Sequence, residues 1–358
     1  MIPKILLLPI YLLLIHADSH EDIFFKSSML QQNELTPQGG QFIILDDSGE
    51  PIEVEAMKDE KGVLYWYRRI FTPVCLTGEC MMVDVGIYWY CTGEFFGLEV
   101  YGEHLTKTDH SIFSDEDYGK LMDVLANDWS SLREYELADL VDDSEEGVDG
   151  VSGATKKEIA EEAVEDAVYT TYTLWHLIHV GEKEQLAQLT TTLLAQKDVL
   201  VDLLNTDDIR YHKFVMEQLA QERIKPNPRT DSLLVECIQA NRDASVRRLA
   251  VRTLPHADTE SRLIQNELVK MYPGASMEEK LQILTALKKN SIISDDLIQV
   301  LAVDLYHQNE WFVVRLLDML TGIRSKQSDL YKQVEALRES ERPMVKKAAE
   351  AFLQFGDL

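Results

Sequence analysis

The 358-residue chain sets 62 acidic side chains against 35 basic ones, a formal charge of −27. No basic stripe interrupts that excess, which excludes nucleic acid and anionic membrane surfaces as partners, because both require phosphate neutralisation. The charge is also uneven: residues 1–180 hold 35 carboxylates and 11 Lys or Arg, residues 181–358 hold 27 and 24. The two halves are therefore different objects.

MIPKILLLPIYLLLIHADS opens with one lysine and an apolar run from Ile5 to Ile15, too short to span a bilayer comfortably. Ala17-Asp18-Ser19 offers a small-x-small cleavage site. The expectation is a signal peptide over 1–19 and an exported, periplasmic or extracytoplasmic mature chain from near His20. No later segment is apolar enough to span a membrane.

QFIILDDSGEPIEVEAM predicts two short strands around Asp46–Gly49, and GVLYWYRRIF predicts a third. In CMMVDVGIYWYC, Val83, Val85, Ile87 and Trp89 share one face, leaving Tyr88 and Tyr90 on the outward one. Thr92-Gly93 turns the chain into a further strand, EFFGLEVY. Ser114 and Asp117 form a capping-box start for a helix whose apolar face is Tyr118, Leu121, Met122 and Leu125. Ahead of it, His104, Lys107, Asp109 and His110 crowd titratable groups into seven residues, either a solvated loop or the lining of a site. The chain has four cysteines. In an oxidising compartment Cys75 and Cys80 can close a small loop, or Cys91 can pair with either; buried thiols are the alternative. Seven carboxylates between Glu136 and Asp149 lack EF-hand spacing and read as a solvated loop.

From Lys156 to Gly181 apolar residues recur at helical steps, with Thr155 and Glu158 placed as a Thr-x-x-Glu capping box. The cap accounts for two residues of VSGATKKE and leaves Asp149, Ser152, Gly153 and Ala154 without a role. A helix N-terminus offers free N–H groups and the positive end of a dipole, which together favour a phosphate. Gly153 and Ala154 admit a bulky group close to the backbone, and Lys156 and Lys157 add positive charge.

Asp149-Gly150-Val151-Ser152-Gly153-Ala154-Thr155 resembles the D-x-x-[ST]-G-A-[TS] flavinylation motif of FMN-binding domains. Such domains occur in sodium-pumping NADH:quinone reductases, Rnf-type complexes and related extracytoplasmic proteins. The resemblance implies that a flavin transferase links FMN through its phosphate to the Thr155 hydroxyl. Asp149, Ser152, Gly153 and Ala154 would then be the surrounding recognition residues. It covers at most residues 40–180, and LTKTDHSIF stands where the family shows a glycine-rich segment. With FMN attached, Tyr88, Trp89 and Tyr90 are candidates to pack on its ring, the outward Tyr88 and Tyr90 first.

Beyond Gly181 the pattern is helical throughout. Apolar anchors at Ile209, Val246, Leu281, Val313 and Val345 recur every 32 to 37 residues, and DASVRRLAVRTL and RPMVKKAAEAF resemble HEAT-type repeats. His176 and His179 stand at i, i+3, a pair with no third ligand for a metal, and Cys237 lies on an apolar helix face. No nucleophile elbow, phosphate loop or HExxH is present.

The reading is an α+β FMN-binding-like domain over 20–180, a curved antiparallel sheet plus helices, followed by an all-α HEAT-like solenoid over 181–358. Its function would be exported electron transfer through covalent FMN, with the repeats docking a redox or scaffold protein partner. The alternative is a non-catalytic interaction scaffold that has lost the flavin.

Overall fold

The computed structural model describes residues 23–46, 49–74, 81–137, 140, 159, 162–239, 244–321 and 328–356. Six strands form one open antiparallel sheet: β1 (Ile23–Lys26), β2 (Thr36–Leu45), β3 (Pro51–Lys58), β4 (Leu64–Thr72), β5 (Val83–Tyr90) and β6 (Phe95–Tyr101), in the order β1-β6-β5-β4-β3-β2. Strands two to six are a simple meander, as alternating β-branched and aromatic runs separated by turn residues favour. β1 and the short helix α1 (Ser28–Gln32) escaped the sequence reading. β1 is only four residues long, and its pairing with β6 bridges more than 70 positions of sequence, with Phe25 opposite Val100 and Lys26 opposite Glu99.

The β5–β6 register sets Val85 opposite Val100 and Ile87 opposite Leu98, with an irregularity between Tyr88 and Trp89. The expected alternation holds for Val83, Val85, Ile87 and Trp89, all buried. Its outward half is corrected: Tyr88 and Tyr90 are buried as well. α1 accounts for part of this cover. A Cβ on Gly97 would stand 2.6 Å from Ser27 Oγ and 2.8 Å from Leu30 Cγ, so the strand admits α1 only because that residue is glycine. α2 (Asp115–Leu125) follows, capped as expected by the reciprocal Ser114–Asp117 bonds.

The chain then runs through α3 (Val168–His179), α4 (Glu182–Leu193) and α5 (Lys197–Leu204) into alternating first and second helices. These are α6 (Ile209–Ala220), α7 (Pro228–Gln239), α8 (Ala244–Thr253), α9 (Arg262–Met271), α10 (Met277–Leu287), α11 (Asp295–Ala302), α12 (Glu310–Thr321), α13 (Ser328–Ala336) and α14 (Pro343–Gly356). The second helices α6, α8, α10, α12 and α14 start 35, 33, 33 and 33 residues apart. This register corrects the anchors read from sequence. The position two residues into each second helix is Tyr211, Val246, Glu279, Phe312 and Val345, and four of those five are buried, whereas Ile209 is exposed and Leu281 only half-buried.

Two compact units result. The first comprises the chain up to Met57, Trp66–Tyr90 and Glu94–Glu182; the second comprises Lys58–Tyr65, Cys91–Gly93 and the chain from Lys183. In the first, Trp66, Trp89, Leu98, Leu121 and Trp175 form the core, and Trp89 Nε1 donates to the Ile178 carbonyl at 3.2 Å. In the second, the Thr190 hydroxyl donates to the Cys91 carbonyl at 2.5 Å. There Gly93, with φ +94°, lies where a Cβ would meet the Lys183 carbonyl oxygen at 2.5 Å. No helix among the described residues is long and apolar enough to cross a membrane.

Candidate functional site

Asp149, Ser152, Gly153, Ala154 and Thr155, and the Thr155–Glu158 capping box with them, lie outside the described residues. The segment that follows them is described, and it departs from the expected single helix. Ile159 is helical and buried, but Glu162–Ala167 forms turns before α3 begins at Val168. Local and long-range bonds hold the broken segment. The Thr171 hydroxyl receives the Val164 amide at 3.2 Å and donates to the Ala167 carbonyl at 2.9 Å. Thr108 donates both its amide and its hydroxyl to the Asp166 carbonyl, each at 2.7 Å. Asp166 adopts φ +57°, outside helical space.

One carboxylate fastens this segment from the other side. Glu162 accepts the Ser130 hydroxyl and the Ser131 amide, both at 2.7 Å. Burial opposes its ionisation, but the bonds from Ser130 and Ser131 outweigh that and hold its carboxyl below the usual carboxylate range. Buried Ile159, Ala163 and Val164 complete the anchorage. Beside Ser130, Trp129 is 84% exposed, with the Arg133 guanidinium 5.5 Å from its ring centroid. Sequence reasoning missed both residues. Glu162 sat inside a pattern read as helix, and an isolated Trp in a polar loop carries no periodic signal.

The His104–His110 group does not converge on a point. The His104 ring packs edge-on against Phe24 at 4.8 Å. Lys107 pairs with Asp117 at 2.9 Å, a bond that raises its pKa. Asp109 accepts the Ser111 hydroxyl and amide, which lower its own. His110 stands at φ +64° and Asp166 at φ +57°, so the contact between these two loops carries two left-handed non-glycine residues. Such strain persists where surrounding structure over-determines it.

The aromatic candidates are engaged elsewhere. The Tyr88 hydroxyl donates to Glu99 at 2.8 Å and the Tyr101 hydroxyl to the same oxygen at 2.5 Å, while Lys26 Nζ approaches the other oxygen at 3.1 Å. Burial and then the Glu99 charge push the Tyr88 phenol far up. Tyr90 packs edge-on against Phe96 at 4.9 Å, and Trp89 is in the core. Glu99 shares a strand face with Gly97 and Tyr101, a polar phase within FFGLEVY that the alternation made visible.

His179 Nδ1 lies 3.1 Å from Asp128 Oδ1 and Nε2 lies 2.9 Å from the Leu125 carbonyl. Both ring nitrogens are thus engaged with protein oxygens. His176 Nδ1 lies 3.0 Å from the Tyr172 carbonyl. Among the described residues no group of three or more His, Cys, Asp or Glu is placed to hold a metal ion. Cys91 is buried, and Cys75 and Cys80, the residues with which it could pair, lie outside the described residues. Burial pushes the Cys237 thiol up to about 11, which disfavours the reactive thiolate. Comparison with protein-family models, curated proteins and solved structures yields no match to this chain.

Proposed function

We propose that this chain is an exported electron-transfer protein carrying FMN linked through its phosphate to Thr155, with a HEAT-like array of helices that docks a protein partner. The Asp149–Thr155 heptapeptide carries this reading. A threonine hydroxyl among small residues, followed by Lys156 and Lys157, suits a phosphodiester chemically. The anchorage of Glu162 on Ser130 and Ser131, and of Asp166 on Thr108, supports it by fixing the chain seven and eleven residues beyond the acceptor.

FMN, when attached, supplies the electron chemistry. The chain supplies the tether, the environment of the ring and access for the partner. Tyr88 and Tyr90 fit a ring-packing role poorly, being buried and engaged with Glu99 and Phe96. Trp129 takes that role in this reading: it is exposed, backed by Arg133, and adjacent to the serine that holds Glu162.

The commitment of Tyr88 and Tyr90 favours the second reading, a flavin-free interaction scaffold. Intact mass of the exported protein, co-expressed with a flavin transferase, separates the two. The flavoprotein reading requires a gain of one FMN less water, retained in Thr155→Ser and absent from a folded Thr155→Ala. An unmodified mass selects the scaffold. In a flavinylated chain, Trp129→Ala then raises flavin fluorescence if the indole stacks on the ring.

A further inference from the structure

Between α8 and α10 lies a groove of about 240 Å³. Buried Val251 forms part of its floor. Arg247 is fixed across it by Glu279, Nε to Oε1 at 3.0 Å, and Glu279 in turn completes the Ser276 capping box. Arg248 and Arg252, one turn apart on α8, are exposed on its rim. Among the described residues neither has a hydrogen bond or ion pair. Like charges at i, i+4 repel each other, and here they do so in a protein with a surplus of 27 negative charges. The groove's remaining unpaired charge is the exposed Glu278. Beside it Met277 is exposed. Lys280, pairing with Asp304 at 2.8 Å, ties this turn of α10 to the Val303–Tyr306 turn, where Val303 and Tyr306 are also exposed.

We propose that this groove docks an acidic segment of a partner protein, an Asp- or Glu-rich stretch that also carries apolar side chains. The guanidinium forks of Arg248 and Arg252 match carboxylates bidentately, and Val251 in the groove meets an apolar side chain. The inference deepens the partner-docking part of the reading above and is independent of the flavin. It is therefore tested on full-length chain produced without a flavin transferase.

The probe is a fluorescein-labelled peptide of repeated Glu-Glu-Leu, with its Lys-Lys-Leu counterpart as control, titrated by anisotropy. The acidic peptide binds and weakens with salt, and the basic one does not bind. Arg248→Glu with Arg252→Glu weakens binding by at least about tenfold, while Glu278→Gln tightens it. Arg248→Gln with Arg252→Gln serves as a second variant, and circular dichroism verifies the fold of each. Unchanged affinity in a folded double variant overturns the proposal, as does equal binding of both peptides. Displacement of the peptide by inorganic phosphate at equal concentration overturns it too, reducing the groove to an anion site. Concentration-dependent dimerisation that either double variant abolishes would instead assign the groove to a second copy of the chain. A chain that accepts no FMN leaves every one of these outcomes readable.

Discussion

The farthest-reaching polar contacts of the sheet unit and of the repeats from α7 onward span different distances along the chain. In the sheet unit Trp89 bonds the Ile178 carbonyl across 89 positions, and Arg68 pairs with Glu182 across 114. In the helical unit the Thr190–Cys91 bond reaches across 99 positions, but from α7 onward Arg247–Glu279, Lys288–Asp318 and Gln239–Glu267 span 32, 30 and 28, about one repeat each. The sheet unit thus closes long loops around one core and gains little until most of its contacts exist. The array adds nearest-neighbour increments, so each pair of helices depends mainly on the pairs flanking it.

The sharpest test of that contrast is a large cavity in each unit. Trp89→Ala, at a fully buried position, is expected to cost about 3–5 kcal/mol and to unfold the sheet unit in one transition. Leu287→Ala, fully buried in α10, is expected to cost about 2–4 kcal/mol and to broaden the transition rather than shift it whole. Urea denaturation followed by tryptophan fluorescence and far-ultraviolet circular dichroism distinguishes these outcomes. Coincident sharp transitions in both variants would break the comparison.

A second test uses pH. Asp231 on α7 is 4% exposed, and burial, then the nearby Asp258 charge, raises its pKa to about 6. For an acid whose folded pKa exceeds its unfolded value of 3.8, the folded state favours the neutral form. The array therefore loses stability as pH rises from about 4 to 6 and stays at that lower level above. Asp231→Asn should recover roughly 2–3 kcal/mol at pH 7 and nothing near pH 3.5. Thermal melts at the two pH values check it, and equal shifts at both would refute the assignment.

Smaller effects sharpen the picture. Glu99→Gln leaves Lys26 beside a neutral amide and weakens the Tyr88 and Tyr101 bonds, at a cost of about 1–3 kcal/mol. Because the Lys26–Glu99 pair joins β1 to β6, amide exchange should rise first in Ile23–Lys26. The smallest effect belongs to the caps. Ser114→Ala and Ser276→Ala each remove one half of a capping box, costing about 0.5–2 kcal/mol. Their similarity would show that local bonds ignore the difference between the units.

Much of the architecture was legible because it is written locally. β2 to β6 follow from alternation and turn residues, α2 from its capping box and apolar face, and the array from helical periodicity. The exact repeat register was not legible, since Ile209 and Leu281 are apolar yet carry less of the core than Tyr211 and Ile283. Within the candidate site, the heptapeptide was visible as a motif, whereas Glu162, Thr108 and Trp129 were not. Their roles come from contacts between segments that no local pattern announces.

By itself, then, the sequence determined the order of β2 to β6 and α2, the helical character of the second half, the contrast in charge between the halves and the Asp149–Thr155 motif, because each depends on residues adjacent in the chain. Tertiary structure decided the break of the helix at Glu162–Ala167 and the burial of Tyr88 and Tyr90. It also decided the unpaired arginines beside Val251. These depend on which groups meet after folding, where a competing hydrogen bond, a covering helix or a missing counter-charge outweighs what the local pattern prefers.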